Sequence, residues 1–225
     1  MIVSHEYKFI FFAAGKTGTF SIENVLSKYH DDKAIELEES EFGISGVLPI
    51  LGTKHIPPQV IRKSSKKPGH LEGFQSYFKF AFVRNPWDWV KCNYFHCFPE
   101  EENVEKIEKL EKEHIMKVHD HLGDERWSRG LKTKTRYQYA FLADNNGEGP
   151  LLVDFVGKFE DMQQDFDEIC DIIEIPREKL PHLNKGMRSK RKKHYSEFYT
   201  EESKELVRKL YRKDIEFFGY EYEQK

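Results

Sequence analysis

An α/β fold, with a mainly parallel sheet flanked by helices, is what this 225-residue sequence predicts. Three observations predict it. Apolar runs of strand length lie at 7–14, 78–84 and 151–157, and each leads directly into a helix-compatible segment. That alternation calls for parallel strands joined by right-handed crossovers. Two of the runs, Phe9-Ile10-Phe11-Phe12-Ala13-Ala14 and Phe80-Ala81-Phe82-Val83, are unbroken in their apolar character, as buried strands are. The turns that follow them carry residue types that begin helices, Gly15-Lys16-Thr17-Gly18 after the first and Arg84-Asn85-Pro86 after the second.

In chain order, strand 7–14 feeds a helix over 18–29 through Ile22, Val25 and Leu26. A strand near 33–38 follows from the alternation of Ala34, Ile35 and Leu37. The prolines and glycine at Pro49, Gly52, Pro57, Pro58 and Pro68 mark a loop region, with the two adjacent prolines expected to fix an extended exit. Strand 78–84 then leads into helix 86–97, capped by Asn85 with Pro86 in the first helical position. The segment 101–121 places Val104, Ile107, Leu110 and Ile115 at near-helical spacing among Glu and Lys, an amphipathic helix covering the sheet. Gln138 to Leu142 reads as helical and Asn145-Asn146-Gly147 as a turn. Strand 151–157, helix 161–173 and a C-terminal helix 200–217 complete the pattern.

Composition narrows the function classes. A chain of 225 residues holds one large α/β core, and no linker divides it, so residues 1–225 are read as a single domain. With 33% charged and 14% aromatic residues the chain is globular, not disordered. A formal charge of −3 argues against nucleic-acid coating. Three cysteines build no disulfide framework, and Cys92 and Cys97 lack metal-ligand spacing. A reducing, cytoplasmic setting is expected. The first strand begins near Tyr7 without a charged segment or cleavage site, so no signal peptide is expected, and no apolar run reaches membrane-spanning length.

The chemistry concentrates in two turns. In the first, the free N–H groups of a helix N-terminus and the positive end of its dipole make an anion site. Gly15 and Gly18 supply backbone freedom, Lys16 a cation, and Thr17, Thr19 and Ser21 hydroxyls. The nucleotide P-loop GxxxxGK[ST] fits only at its end: its first glycine would fall at position 10, which is Ile10. In the second turn, Arg84 stands at the carboxyl end of a strand facing another helix N-terminus, where open α/β sheets bind ligands. A buried arginine paired with a carboxylate is the structural alternative.

Together these residues resemble sulfotransferases that use 3′-phosphoadenosine 5′-phosphosulfate (PAPS), most closely the carbohydrate (heparan/chondroitin-type) branch. Lys16-Thr17-Gly18-Thr19-Phe20-Ser21 is similar to that family's 5′-phosphosulfate loop, and Phe80-Ala81-Phe82-Val83-Arg84-Asn85-Pro86-Trp87-Asp88 to the strand and turn of its 3′-phosphate motif. Val153-Asp154-Phe155-Val156-Gly157-Lys158-Phe159-Glu160 resembles its late strand. His182-Leu183-Asn184 and Tyr211-Arg212-Lys213-Asp214-Ile215-Glu216-Phe217-Phe218-Gly219-Tyr220 resemble its C-terminal pattern. Two positions depart from it: Phe20 stands where threonine is usual, and Cys92 where a serine contacts the 3′-phosphate.

The resemblance implies a P-loop-NTPase-like sulfotransferase fold and PAPS as co-substrate, held by Gly15, Lys16, Thr17, Gly18, Thr19, Phe20, Ser21, Arg84 and Cys92. It also implies a nucleotide-closing loop that supplies Lys185 and Arg188. Lys16 is the natural electrophilic helper, close to the bridging oxygen, and no carboxylate cluster at metal spacing calls for a metal. The base is expected at His55, in Gly52-Thr53-Lys54-His55-Ile56-Pro57-Pro58, since many sulfotransferases carry a basic residue, a histidine and a proline between the two nucleotide motifs. His70 and His182 are its competitors. Basic residues at Arg62, Lys63, Lys66 and Lys67 would favour an anionic acceptor, such as an acidic sugar, if they flank the acceptor cleft. A small-molecule or glycan acceptor is therefore expected, with no nucleic acid or membrane partner. A P-loop nucleotide kinase and a non-catalytic nucleotide-binding module remain the alternatives.

Overall fold

The structure is a computed structural model, and it describes residues 1–30, 35–37, 46–48, 55–64, 75–99, 107–123, 136–182 and 193–224. Its centre is a four-stranded open sheet of β1 (Ile2–Ser4), β2 (Phe9–Phe12), β5 (Phe78–Val83) and β6 (Phe155–Lys158), in the spatial order β1-β2-β5-β6. β2, β5 and β6 are parallel, in a register that sets Phe12 beside Ala81 and Val83 beside Lys158. β1 runs antiparallel at the edge, with Ile2 opposite Phe11. Three residues are too short to show a strand period, which is why β1 is not visible in the sequence.

Successive side chains of β2 and β5 point to opposite faces, and both faces are covered. On one side Phe9, Phe11, Phe80 and Phe82 pack with Ile22, Val25 and Leu26 of α1 (Thr19–Leu26) and with Phe166 and Ile169 of α6 (Met162–Ile172). On the other, Ile10, Phe12, Ala81 and Val83 pack with Val60 and Ile61 of α2 (Pro58–Ser64), with α5 (Gln138–Leu142) and with Phe218 of α8 (Arg212–Phe218). Double coverage explains the unbroken apolar runs. At Gly157 in β6 a Cβ would stand 2.4 Å from the Phe82 ring, so the packing of that ring requires glycine there.

A third, largely aromatic cluster joins α3 (Pro86–Cys97), α4 (Lys112–Leu122) and α7 (Glu201–Leu210) around Trp87, Trp89, Tyr94, Phe198 and Tyr211. α3 begins as its sequence dictates: the Asn85 side chain accepts from the Trp87 N–H at 3.1 Å, with Pro86 in the first turn.

Several expectations are corrected. The segment near 33–38 forms β3 (Ile35–Leu37), which pairs antiparallel with β4 (Gly46–Leu48) in a separate two-stranded sheet rather than joining the main one. Pro57-Pro58 does not lead into extended chain; Pro58 opens α2, since proline is as suitable to a first helical turn as to an extended segment. Among the described residues of 101–121, helix begins only at Lys112, because Leu110 pairs with Tyr199 in a bridge and its N–H donates to the Phe198 carbonyl. The strand read at 151–157 is centred later, at Phe155–Lys158. The helix read at 200–217 is two, broken at Tyr211, whose fully buried ring packs against Trp89, His119 and Tyr137.

Candidate active site

β2, β5 and β6 end at the same edge of the sheet, and α1, α3 and α6 start there. In open α/β folds this edge is where ligands bind.

The loop after β2 is held in a specific shape. Lys16 lies in the left-handed region at φ 64°, a conformation that a side-chain-bearing residue keeps only when its surroundings enforce it. Gly18 has φ 78° and is the N-cap of α1; a Cβ there would stand 2.7 Å from Met162 of α6, so both backbone and packing require glycine. At Gly15 a Cβ would meet nothing within 4 Å. Thr17 is fully buried and its hydroxyl donates to the Ala14 carbonyl at 3.0 Å, so this hydroxyl shapes the loop. Thr19 and Ser21 are buried in the first turn of α1, while the Phe20 ring is exposed.

His55 precedes α2, and its Nδ1 pairs with the Ala13 carbonyl at 2.7 Å. A carbonyl only accepts, so in the neutral ring Nδ1 carries the proton and Nε2 keeps its lone pair. Crowding around the ring desolvates it and lowers its pKa below the ordinary histidine value. The N-terminal ammonium and Lys16 push the same way, against the Ala13 hydrogen bond and Glu23. His55 as a whole residue is nonetheless exposed. A neutral imidazole with one free nitrogen can accept a proton.

Arg84 caps the middle strand. Its Nε and Nη2 donate to Asp88 at 2.8 and 2.5 Å, and its Nη1 donates to the Lys16 carbonyl at 3.1 Å and lies 3.4 Å from Cys92 Sγ. The guanidinium stacks on the Phe159 ring, 3.9 Å from its centroid. Burial would raise the pKa of Asp88, but Arg84 and Lys91 outweigh it and hold the carboxyl below the usual range. The arginine thus joins both motifs and is also ion-paired, with a side chain only 13% exposed. Cys92, two helical turns along α3, shares its face.

The backbone of Arg84 is fixed by a residue the sequence did not single out. The Gln138 side-chain amide accepts from the Arg84 N–H at 2.7 Å and donates to the Arg84 carbonyl at 2.8 Å. Asp214, fully buried in α8, accepts from the N–H groups of Gln138 and Tyr139 at 2.9 and 2.8 Å and so caps α5. Desolvation raises the Asp214 pKa to about 6, although those two N–H groups oppose the shift. Removing the carboxylate leaves two buried donors unpaired, and Asp214→Ala is expected to cost roughly 2–4 kcal/mol. A carboxyl whose pKa is higher folded than unfolded loses stabilisation as pH rises between the two values. The penalty of Asp214→Ala, read by urea unfolding of both proteins, is therefore expected to be larger at pH 4 than at pH 7. A constant penalty would mean that the carboxyl does not titrate as placed.

The late motif closes the site from the other side. Glu160 accepts from the Asn85 N–H at 2.8 Å and from the Tyr220 hydroxyl at 3.1 Å, tying β6 and the C-terminal segment to the start of α3.

A model of the sulfotransferase family matches residues 1–221. The chain belongs to the sulfotransferase family. Sulfotransferases of this family generally take the sulfuryl group from PAPS. Among solved structures, a sulfotransferase from Alicyclobacillus acidocaldarius is similar at 16% identity, with 96% of each chain covered and a TM-score of 0.41. No curated protein sequence matches this sulfotransferase.

The structure of this family member brings Gly15, Lys16, Thr17, Gly18, His55, Arg84 and Cys92 to one edge of the sheet. Lys185, Arg188 and His70 lie outside the described residues. His182 is exposed at the end of a described segment. Arg62 pairs with Asp144 at 2.6 Å. Lys66 and Lys67 are outside the described residues, as is the Lys63 side chain. Among the described residues no cluster of His, Cys, Asp and Glu is arranged to hold a metal, and no helix is long and apolar enough to cross a membrane.

Proposed function

We propose that this sulfotransferase-family protein moves a sulfuryl group from PAPS to an acceptor hydroxyl, on a single P-loop-like domain in the cytoplasm. A carbohydrate or glycoconjugate acceptor is favoured by the sequence resemblance. The observation that carries the reading is the placement of His55 against the loop that bears Lys16: the imidazole is tied through Nδ1 to Ala13, three residues before the lysine, with Nε2 left basic.

When bound, PAPS supplies the sulfuryl group and leaves as 3′-phosphoadenosine 5′-phosphate (PAP). The chain's residues then have distinct tasks. The N–H groups at the start of α1 receive the 5′-phosphosulfate, the ammonium of Lys16 neutralises charge on the departing phosphate, and His55 Nε2 takes the proton of the acceptor hydroxyl. Arg84 and Cys92 form the 3′-phosphate end, with Lys185 and Arg188 as further donors. The left-handed Lys16, the glycine enforced at position 18 and the carbonyl-bound loop fit an anion cradle.

Calorimetry separates the readings. PAP is expected to bind without metal and ATP with Mg²⁺ to bind weakly, the reverse of a nucleotide kinase. Radiolabelled PAPS offered to a panel of acidic and neutral glycans then identifies the acceptor; binding without transfer to any acceptor would leave a nucleotide-binding module.

Cys92 gives a local check on the 3′-phosphate end. A serine hydroxyl donates a better hydrogen bond to phosphate than a thiol does. Cys92→Ser is expected to tighten PAP binding by roughly 0.5–1.5 kcal/mol. Unchanged or weaker binding in a titration under reducing conditions would place the 3′-phosphate away from Cys92.

A further inference from the structure

Four consecutive carbonyls of the loop after β2 each accept from a different side chain. Ala13 is bound by His55 Nδ1 at 2.7 Å, Ala14 by the Thr17 hydroxyl at 3.0 Å, Gly15 by Trp89 Nε1 at 2.7 Å and Lys16 by Arg84 Nη1 at 3.1 Å. A trans peptide points its C=O and the next residue's N–H in opposite directions. Every bond that draws a carbonyl outward therefore fixes the aim of the following amide. The bond from Trp89 sets the Gly15–Lys16 peptide, and with it the Lys16 N–H. Arg84 sets the next peptide, and with it the Thr17 N–H. Between them these two bonds bracket Lys16, the residue held at φ 64°.

Trp89 is suited to this task. It lies in α3, is 4% exposed, and its ring is wedged edge-on against the fully buried Tyr211, with centroids 5.9 Å apart. Its donor is thus carried on a rigid element with little freedom to reorient. Being neutral, it draws the carbonyl outward without adding a charge that would compete with Lys16 for an anion.

We propose that Trp89 is a positioning residue for the phosphosulfate loop, its indole N–H holding the Gly15 carbonyl so that the Lys16 amide and side chain face the 5′-phosphosulfate. The inference rests on the PAPS reading above. Trp89→Phe keeps an aromatic ring and removes the donor. It is expected to weaken PAP roughly 3–10-fold, the loss of about one net hydrogen bond, in a protein whose thermal midpoint falls, because the smaller ring underfills the aromatic core. In wild-type protein labelled with ¹⁵N-tryptophan, the Trp89 indole signal is expected to shift on PAP addition. The Trp87 indole, bound to the Lys204 carbonyl at 3.0 Å, is expected to stay fixed and serves as the reference. If Trp89→Phe does not fold, the indole titration of the wild type decides alone. PAP binding with an unmoved Trp89 signal, or equal PAP affinity in a folded Trp89→Phe, overturns the inference and leaves the donor assignment standing. A wild-type protein that does not bind PAP removes both.

Discussion

His55→Ala is expected to abolish most sulfuryl transfer while leaving PAP binding largely intact. The imidazole is the group at the loop whose neutral tautomer the structure fixes: Nδ1 holds its proton against Ala13, and Nε2 is left to accept one. General-base catalysis contributes typically about 10²–10⁴-fold, and that is the loss expected in turnover. The pH profile carries the sign. Desolvation, aided by nearby positive charge, lowers the His55 pKa below the ordinary histidine value, so the neutral form predominates at neutral pH. The rate of the wild-type enzyme is therefore expected to rise with pH on an acid limb whose midpoint lies below the ordinary histidine value and to level off at higher pH, and His55→Ala should lack that limb. A variant with near-normal turnover and the same profile would move the base to His70, His182 or a carboxylate. A variant that loses PAP affinity as severely as turnover would make His55 chiefly a clamp on the Ala13 carbonyl.

Lys16→Ala is expected to act on the chemical step. Removing one donor aimed at charge that develops in a transition state typically costs about 10²–10³-fold in turnover. Nucleotide affinity is expected to fall less, because the amides of the loop and of the first turn of α1 remain. Alanine also has to adopt the left-handed backbone at this position, a strain on the order of 1–2 kcal/mol that lysine already bears. Lys16→Gly relieves that strain and serves as the control: equal loss of turnover in both variants assigns the effect to the ammonium. Normal turnover of either at saturating PAPS would exclude the catalytic role.

Much of the fold was legible because its central strands obey local rules. The runs in β2 and β5 are apolar without interruption because both faces are covered, and Asn85-Pro86 starts α3 through its own cap. The structure departs from the local pattern where short elements depend on distant partners. β1 is three residues on the antiparallel edge, and β3 pairs with β4 instead of the main sheet. α7 and α8 bend at Tyr211, which buries that ring and brings Asp214 beneath α5. None of these has a local signal strong enough to outweigh periodicity read over a longer window.

By itself the sequence determined the parallel strands, the two turns at their ends and the residue types within them, because strand burial, helix capping and glycine at position 18 are encoded within a few residues of each site. Only the tertiary structure decided how those residues are used. It turned the Thr17 hydroxyl inward, paired Arg84 with Asp88, locked the tautomer of His55 against Ala13 and brought Trp89, Gln138 and Asp214 to hold the loop and the strand end. The physical reason is the reach of the interactions. These hydrogen bonds join positions 42 to 76 residues apart, apart from the Thr17 bond and the Arg84–Asp88 pair, and no period in the chain announces which buried carbonyl a distant donor will satisfy.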